Sequence, residues 1–295
     1  EIMMPFYGDP GHFRLAVESV LAQDCDDWRL TIIDDVYPDE APGRWAAALD
    51  DDRVTYLRNT ENLRPSRNYT KSIGIATDDF MTIMGCDDLM HPGYVRRVLE
   101  LIEQFPDVSI IQPGVVVVDE HGAVVRPLAD RVKDWYRPHG ARPIALAGEP
   151  LATSLIRGNW TYFPSLVWRR EALASGFRTD LDVVQDLAKL FEIIVAGGSL
   201  ALDDAVVFSY RRHSRSLSAT TGTDGSKFAQ ERTFFREAIA TCTDLGWMRA
   251  ARSAKAHISS RLNALSETPG ALVRGRGTAS RTLPRPALGG GHRDG

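Results

Sequence analysis

Cysteine is scarce in this chain: Cys25, Cys86 and Cys242 are the only three in 295 residues, odd in number and without metal-ligand spacing. That excludes a disulfide-stapled secreted scaffold and reads as reduced thiols in a cytoplasmic protein. Long apolar runs are missing too. No stretch approaches the ~20 residues of a membrane-spanning helix, and no secretory signal is visible. The chain opens directly on a strand-like segment, so a few residues are expected to precede Glu1 in the natural protein. Net charge is −4, which gives no reason to expect nucleic acid as a partner. Gly8-Asp-Pro-Gly11 follows the first apolar run and does not supply the Gly-x-Gly-x-x-Gly turn of a dinucleotide oxidoreductase. No internal repeat is present.

What remains is ordinary globular composition, 43% hydrophobic and 25% charged, arranged in a telling order. Strand-like segments at 1–5, 30–33, 53–57 and 80–84 alternate with helical patterns at 11–23, after Pro38–Gly43, and at 64–76. A β-α-β-α order of this kind predicts a parallel sheet wound with helices on both faces. The pattern then changes. Residues 108–119 read as a long strand and 119–122 as a hairpin turn. Residues 126–146 read as irregular, 149–157 as a short helix, 162–168 as a strand and 169–175 as a helical turn. Leu187, Leu190, Phe191 and Ile194 form one helical stripe closed by Gly197-Gly198. Residues 200–210 return as strand, and 226–264 read as two helices meeting near Gly246.

The organising stretch is 80–92. A short β-prone run ends in Gly85-Cys-Asp-Asp88, and Pro92 opens a helical pattern with Val95, Val98, Leu99 and Ile102 on one face. Two adjacent carboxylates are therefore expected at the carboxyl end of a strand, where open α/β sheets bind ligands. Like charges side by side repel unless a cation or donors stand between them. A hard divalent metal that also holds phosphate oxygens suits the position. The bland alternative is an acidic cluster favourable to the following helix dipole.

Seven segments in register carry a resemblance to the family 2 glycosyltransferases. They are Met4-Pro-Phe-Tyr-Gly8, Ser19-Val-Leu-Ala-Gln23, Ile33-Asp-Asp35, Asn62 with Arg67-Asn-Tyr-Thr-Lys-Ser-Ile73, Gly85-Cys-Asp-Asp88, Gln185-Asp186, and Tyr210-Arg-Arg-His213 with Ser216 and Ser218. The resemblance spans about residues 1–218. It implies an α/β GT-A fold, a mainly parallel wound sheet with C-terminal helices. Residues 1–118 would form the nucleotide-binding half and 119–218 the acceptor half, followed by C-terminal helices at 219–265 and a disordered tail at 266–295. Three departures stand out: Gly85 replaces the first Asp of the Asp-x-Asp pattern, Gly8 an Asn, and Val36-Tyr37 a Gly-Ser.

The implied chemistry is inverting transfer of a sugar from a UDP- or dTDP-sugar to the hydroxyl of a glycan, lipid-linked or small-molecule acceptor. Pro5, Tyr7, Asp35, Arg67 and Asp87 would contact the nucleotide, with Asp35 accepting from the N3–H of a uracil or thymine ring. Asp88 and His213 would hold Mg²⁺ or Mn²⁺. Arg211 and Ser218 would meet the diphosphate, and Asp186 would be the general base. Trp160, with Trp135, is a candidate sugar-stacking platform. Gly85 in place of Asp also permits a second reading, a nucleotide-sugar-binding assembly partner that does not catalyse. A sugar-phosphate nucleotidyltransferase would need a basic Gly-rich first loop, which residues 5–12 lack.

The last thirty residues hold seven Gly, three Pro and five Arg against Glu267 and Asp294. Such a segment lacks the apolar groups to bury a core, and its positive charge leaves open contact with anionic lipid at the inner membrane face. A chain ending at Leu265 is expected to keep its melting temperature in a thermal unfolding scan; a drop of several degrees would mean that the tail docks.

Overall fold

The computed structural model describes residues 1–212 and 226–256. His213, Ser216, Ser218 and the 266–295 tail lie outside the described residues.

Four short apolar strands build the first half: β1 (Ile2–Phe6), β2 (Leu30–Asp34), β3 (Val54–Arg58) and β4 (Phe80–Ile83). β2 is buried along its whole length and β1 nearly so, as a strand covered on both faces requires. They pair in parallel in the order β3-β2-β1-β4, with Ile2 opposite Leu30 and Thr82. The helices between them are α1 (Pro10–Leu21), α2 (Ala41–Ala47) and α3 (Arg64–Ile75). The Asp9 side chain caps α1 by accepting from the Gly11 and His12 amides, and Pro10 begins the helix where its missing N–H costs nothing. The wound parallel core is thus borne out.

The second half extends the same sheet. β5 (Leu89–Met90) leads into α4 (Tyr94–Gln104), which buries Tyr94, Val95, Val98 and Leu101. Then come β6 (Ile110–Val118), α5 (Leu128–Tyr136), β7 (Ile144–Ala147), α6 (Gly148–Arg157), β8 (Val167–Arg169), α7 (Gln185–Val195) and the 13-residue β9 (Ser199–Arg211). The nine strands run β3-β2-β1-β4-β8-β6-β9-β5, with β7 also on β9. β6 and β9 are parallel, whereas β8, β5 and β7 pair antiparallel to their neighbours. Helices α8 (Ser226–Asp244) and α9 (Met248–Ala256) follow. Phe234 and Phe235 of α8 and Ala250 and Ala251 of α9 join the same apolar cluster as Leu151 of α6 and Phe191 of α7. The described residues form one compact unit, and no described helix is long and apolar enough to cross a membrane.

Three sequence expectations need correction. Residues 126–146 are not irregular, since α5 and β7 lie there. α5 escapes a search for hydrophobic periodicity because the one residue that it buries fully is Asp130. β5 was likewise hidden, being two residues long. The 162–168 stretch is mostly not strand: Phe163–Ser165 makes a 3₁₀ turn before β8 begins at Val167.

Gly114 shows how tightly β6 and β9 approach. A Cβ there would meet the Asp204 carbonyl oxygen at 2.5 Å and the Ala205 carbonyl carbon at 2.6 Å, both backbone atoms. Gly74, in α3, would meet nothing within 4 Å. Gly114→Ala is therefore expected to destabilise the fold by about 1–3 kcal/mol, the range for forced overpacking. Gly74→Ala is expected to stabilise it by about 0.5–1 kcal/mol through helix propensity. Urea unfolding of the two variants checks both signs.

Candidate functional site

The carboxyl ends of β1, β2 and β4 bring three sets of residues together. At the first, β1 runs out at Phe6, leaving Tyr7 more than half exposed with its ring edge-on to Tyr37 at 5.6 Å. Pro5 lies half-buried one residue back, opposite Ile33. At the second, Asp34 and Asp35 end β2 and do different work. Asp34 is fully buried and held by structural partners: it accepts from Tyr37 N (2.8 Å), the Tyr56 hydroxyl (2.6 Å) and Arg58 Nη1 (2.6 Å). Asp35 reaches the other way. Its Oδ1 accepts from Asn59 Nδ2 and Leu63 N, each at 2.7 Å, and its Oδ2 from Arg64 N at 2.9 Å. Asp35 thus anchors the N-terminus of α3, where a carboxylate is favourable. Three donors leave one of its roughly four lone-pair directions open, on Oδ2. Val36 (φ 60°) and Arg64 (φ 61°) flank this carboxylate in the left-handed region. Such strain in non-glycine residues persists where surrounding structure imposes it, commonly at ligand sites.

The third set is the acid pair. β4 ends at Ile83 and the chain turns through Gly85-Cys86 to Asp87 and Asp88. Asp88 is 1% exposed. Its Oδ1 accepts from the Arg211 amide at 2.7 Å, while its buried Oδ2 has no hydrogen-bond partner. Burial, and then the charge of Asp87, raises Asp88 well above the usual carboxylate range, against the amide and guanidinium of Arg211. A Cβ on Gly85 would run into Asp88 Oδ2 and come within 2.9 Å of Asp87 Oδ1. The residue that departs from the Asp-x-Asp pattern is therefore the one that gives the second carboxylate its room. Cys86 is packed beneath, its thiol pushed up to about 12 by burial and by Asp87.

A fifth carboxylate comes from the other half. Asp186 sits in the first turn of α7, half-buried, with Oδ2 accepting from Asn159 Nδ2 at 2.8 Å. Burial raises its pKa, and the Leu187 amide, Lys133 and Asn159 pull it back. Tyr69 of α3 links this group to the acid pair. Burial pushes its phenol up, and the acidic groups of Cys86, Asp87, Tyr210 and Asp186 add to the effect. One ring is thus within electrostatic reach of both carboxylate sets.

Other expected site residues lie elsewhere. Arg67 projects from the exposed side of α3 and pairs with Glu61 at 3.1 Å rather than with the acid pair. Its neighbour Asn68 faces inward, buried, with an unpartnered Oδ1. Arg211 is 3% exposed, and its guanidinium is spent on backbone carbonyls: Asp87 O (2.7 Å), Asp119 O (3.0 Å) and Glu120 O (3.2 Å). It staples the acidic loop to the hairpin turn instead of offering a diphosphate donor. Trp160 is no stacking platform, because it is 1% exposed in the core with Nε1 donating to Ser154 Oγ. Trp135 is exposed and stacks on Tyr136, whose ring covers Gly158. Sequence reading missed Tyr69, Lys133 and Asn159. A tyrosine on a helix, a lysine in a polar stretch and an asparagine in a loop carry no signal until the fold converges them.

Among the described residues no group of three or more His, Cys, Asp or Glu is gathered for a metal ion. The acid pair nevertheless fits one. An orphaned buried carboxylate oxygen beside a second carboxylate is a donor set that a hard divalent cation would satisfy, with the remaining positions left to substrate oxygens and water.

The match to known proteins comes in two kinds. Residues 1–169 match the model of the glycosyl transferase family 2. The chain is 25% identical over 123 residues to the putative glycosyltransferase EpsE of Bacillus subtilis, covering 41% of this chain and 44% of that protein. It is 24% identical over 205 residues to the succinoglycan biosynthesis protein ExoO of Rhizobium meliloti, covering 69% and 58%. The chain thus spans about half the length of these relatives. Among solved structures it resembles S. aureus TarS 1–349, at TM-score 0.65 and 13% identity over 91% of this chain and 73% of that one. A TarS structure with UDP-GlcNAc matches at TM-score 0.62 and 12% identity, covering 81% and 66%. At such identity the likeness is one of fold.

The raised pKa of Asp88 gives a prediction with a sign. A carboxyl that binds its proton more tightly folded than unfolded contributes stability when protonated, and loses it as pH rises through the unfolded value toward the folded one. Asp88→Asn removes that loss. In EDTA at pH 7.5 the variant is expected to melt about 2–4 °C above the parent, the equivalent of ~1 kcal/mol for a chain of this size, with the gain shrinking toward pH 4. Mn²⁺ should raise the melting temperature of the parent and leave the variant unmoved. Equal melting in EDTA at both pH values would contradict the reading.

Proposed function

Because the chain belongs to the glycosyl transferase family 2, we propose that it transfers a sugar from a UDP- or dTDP-sugar to an acceptor hydroxyl with inversion at the anomeric carbon. One observation carries the reading: Asp35, the Asp87-Asp88 pair and Asp186 stand in separate environments, and each has a distinct task available. Asp35, with one accepting direction open, receives the N3–H of the pyrimidine. Tyr7 supplies an exposed ring edge for the base or ribose, and Pro5 shapes the strand end beneath it.

Asp88, helped by Asp87, would hold Mg²⁺ or Mn²⁺. When bound, the cation neutralises charge growing on the leaving group. His213 remains a proposed partner of that metal and Ser218 of the diphosphate, on the motif alone. Arg211 acts one step removed, by fixing the loop that presents the pair. Asp186 accepts the acceptor's proton as the hydroxyl oxygen attacks the anomeric carbon and the bond from that carbon to the diphosphate breaks. Burial raises its pKa, which suits a base because proton affinity grows with pKa. The UDP-GlcNAc-bound relative supports a UDP donor; a glycan, lipid-linked or small-molecule acceptor is consistent with ExoO.

Asp186→Asn is expected to retain UDP affinity by calorimetry and to lose at least ~10²-fold in the rate of UDP release from UDP-GlcNAc, the lower bound for general-base catalysis. UDP should bind more tightly with Mn²⁺ than with EDTA. Tight binding without turnover in the parent, across UDP- and dTDP-sugars, would favour the non-catalysing assembly partner. Near-parental turnover in Asp186→Asn would remove that residue from the mechanism.

A further inference from the structure

Lys133 is an unusual lysine. It lies on α5, an element with hardly any apolar reason to be where it is, and its side chain turns inward. Nζ donates to the Thr161 carbonyl at 2.6 Å and stands 4.1 Å from the centre of the Tyr162 ring. From Thr161 the contacts continue in one direction. The Thr161 hydroxyl (2.7 Å) and amide (3.3 Å) both donate to Asn159 Oδ1. With its oxygen occupied by two donors, the Asn159 amide is fixed, and its Nδ2 points at Asp186 Oδ2. The path from the ammonium to the carboxylate thus runs through two residues, and every hydrogen bond in it has a defined donor.

We propose that Lys133 is a positioning residue for Asp186: through Thr161 and Asn159 it fixes the carboxylate's orientation, and through its own positive charge it keeps that carboxylate ionised in a buried setting. The proposal deepens the reading of Asp186 as general base and rests on that reading for its catalytic meaning.

The surroundings agree. Around Asp186 stand Lys133 from α5, Asn159 from the loop before the 3₁₀ turn, Tyr69 from α3 and the Leu187 amide of its own helix. Around Lys133 stand Asp130 and Asp134 of its own helix, Tyr162, Arg212 just beyond β9, and Asp186. Asp130 is not free to neutralise Lys133 alone, because it is paired with Arg212 (2.8 Å) and accepts from the Tyr162 hydroxyl (3.0 Å). Burial brings Lys133 down to about 8, while Asp130 and Asp186 hold it up. The ammonium is therefore charged at neutral pH and begins to lose its charge just above it. Trp135, two residues on, stays exposed, so α5 carries one side chain to the base and another to solvent beside it.

The test reads Asp186 directly and needs no acceptor. Protein labelled with ¹³C at the aspartate carboxyls is titrated by NMR, and the resonance missing from Asp186→Asn identifies the group. Lys133→Gln keeps a donor for the Thr161 carbonyl but not the charge, and Lys133→Met keeps neither. Both are expected to move the Asp186 midpoint upward, the Met variant at least as far, whereas Lys133→Arg should hold it near the parental position. In the parent, UDP release from UDP-GlcNAc should show an acid limb that shifts to higher pH in Lys133→Gln. If Lys133→Met does not fold, the Gln variant alone decides. A midpoint unchanged in Lys133→Gln overturns the proposal, as does an equal upward shift in Lys133→Arg. The two readings fail separately. Normal turnover in Asp186→Asn would end the base assignment whatever the titration shows, and an unmoved midpoint with a dead Asp186→Asn would end only the role of Lys133.

Discussion

A buried carboxylate that lacks a full set of donors is costly, and this fold is arranged around one. Of the four carboxylates near the strand ends, Asp34 and Asp35 each accept from three donors. Asp88 accepts from the amide of a residue on the longest strand of the sheet through one oxygen, and its second oxygen is left bare. Leaving a buried polar atom unpaired costs about 1–3 kcal/mol, more when charged. The rest of the architecture contains that cost. β9 must run to Arg211 to supply the amide, β5 must pair with it to hold the loop, and Gly85 must lack a side chain to leave the oxygen its space. The absence of the first Asp in the motif, which on sequence alone argues against a metal, coincides with an acid pair that still has an unmet need for a cation.

The legible parts of this chain were those in which chemistry follows chain order. The parallel core could be read because β1, β2 and β4 are short apolar runs between patterned helices, and because β2 and β4 each lead into two consecutive Asp residues. Asp88 and Asp186 could be picked for the same reason: each stands at a boundary between elements, where a charged residue beside an apolar stripe is informative. What could not be read depended on partners distant in sequence. Arg211 looked like a ligand for phosphate, but its partners are carbonyls more than ninety residues earlier. Trp160 looked exposed because it follows Gly158-Asn159, yet the turn folds the indole into the core. α5 was invisible because polar contacts hold it in place: Asp130 to Arg212 and Tyr162, and Lys133 to Thr161. Periodicity of apolar residues is blind to a helix held by ions.

Asp35 joins two parts of the site that sequence treats separately. It is both a candidate contact for the pyrimidine and the anchor for the first turn of α3, and Tyr69 stands on that same helix, near Asp87 and Asp186. From Arg64 to Tyr69 is about 1.5 Å of rise per residue along a rigid rod. The distance from the Asp35 anchor to the Tyr69 ring is thereby set by backbone geometry, like a gauge block between two jaws. A single residue inserted between Arg64 and Tyr69 would turn the phenol by about 100° around the helix axis and lengthen the gauge by one step. The same insertion before Asn59 would leave it untouched. Length variation in this part of the chain should therefore be absorbed in the turns ahead of α3, leaving Asp35 and Tyr69 joined by a helix whose register admits no slack.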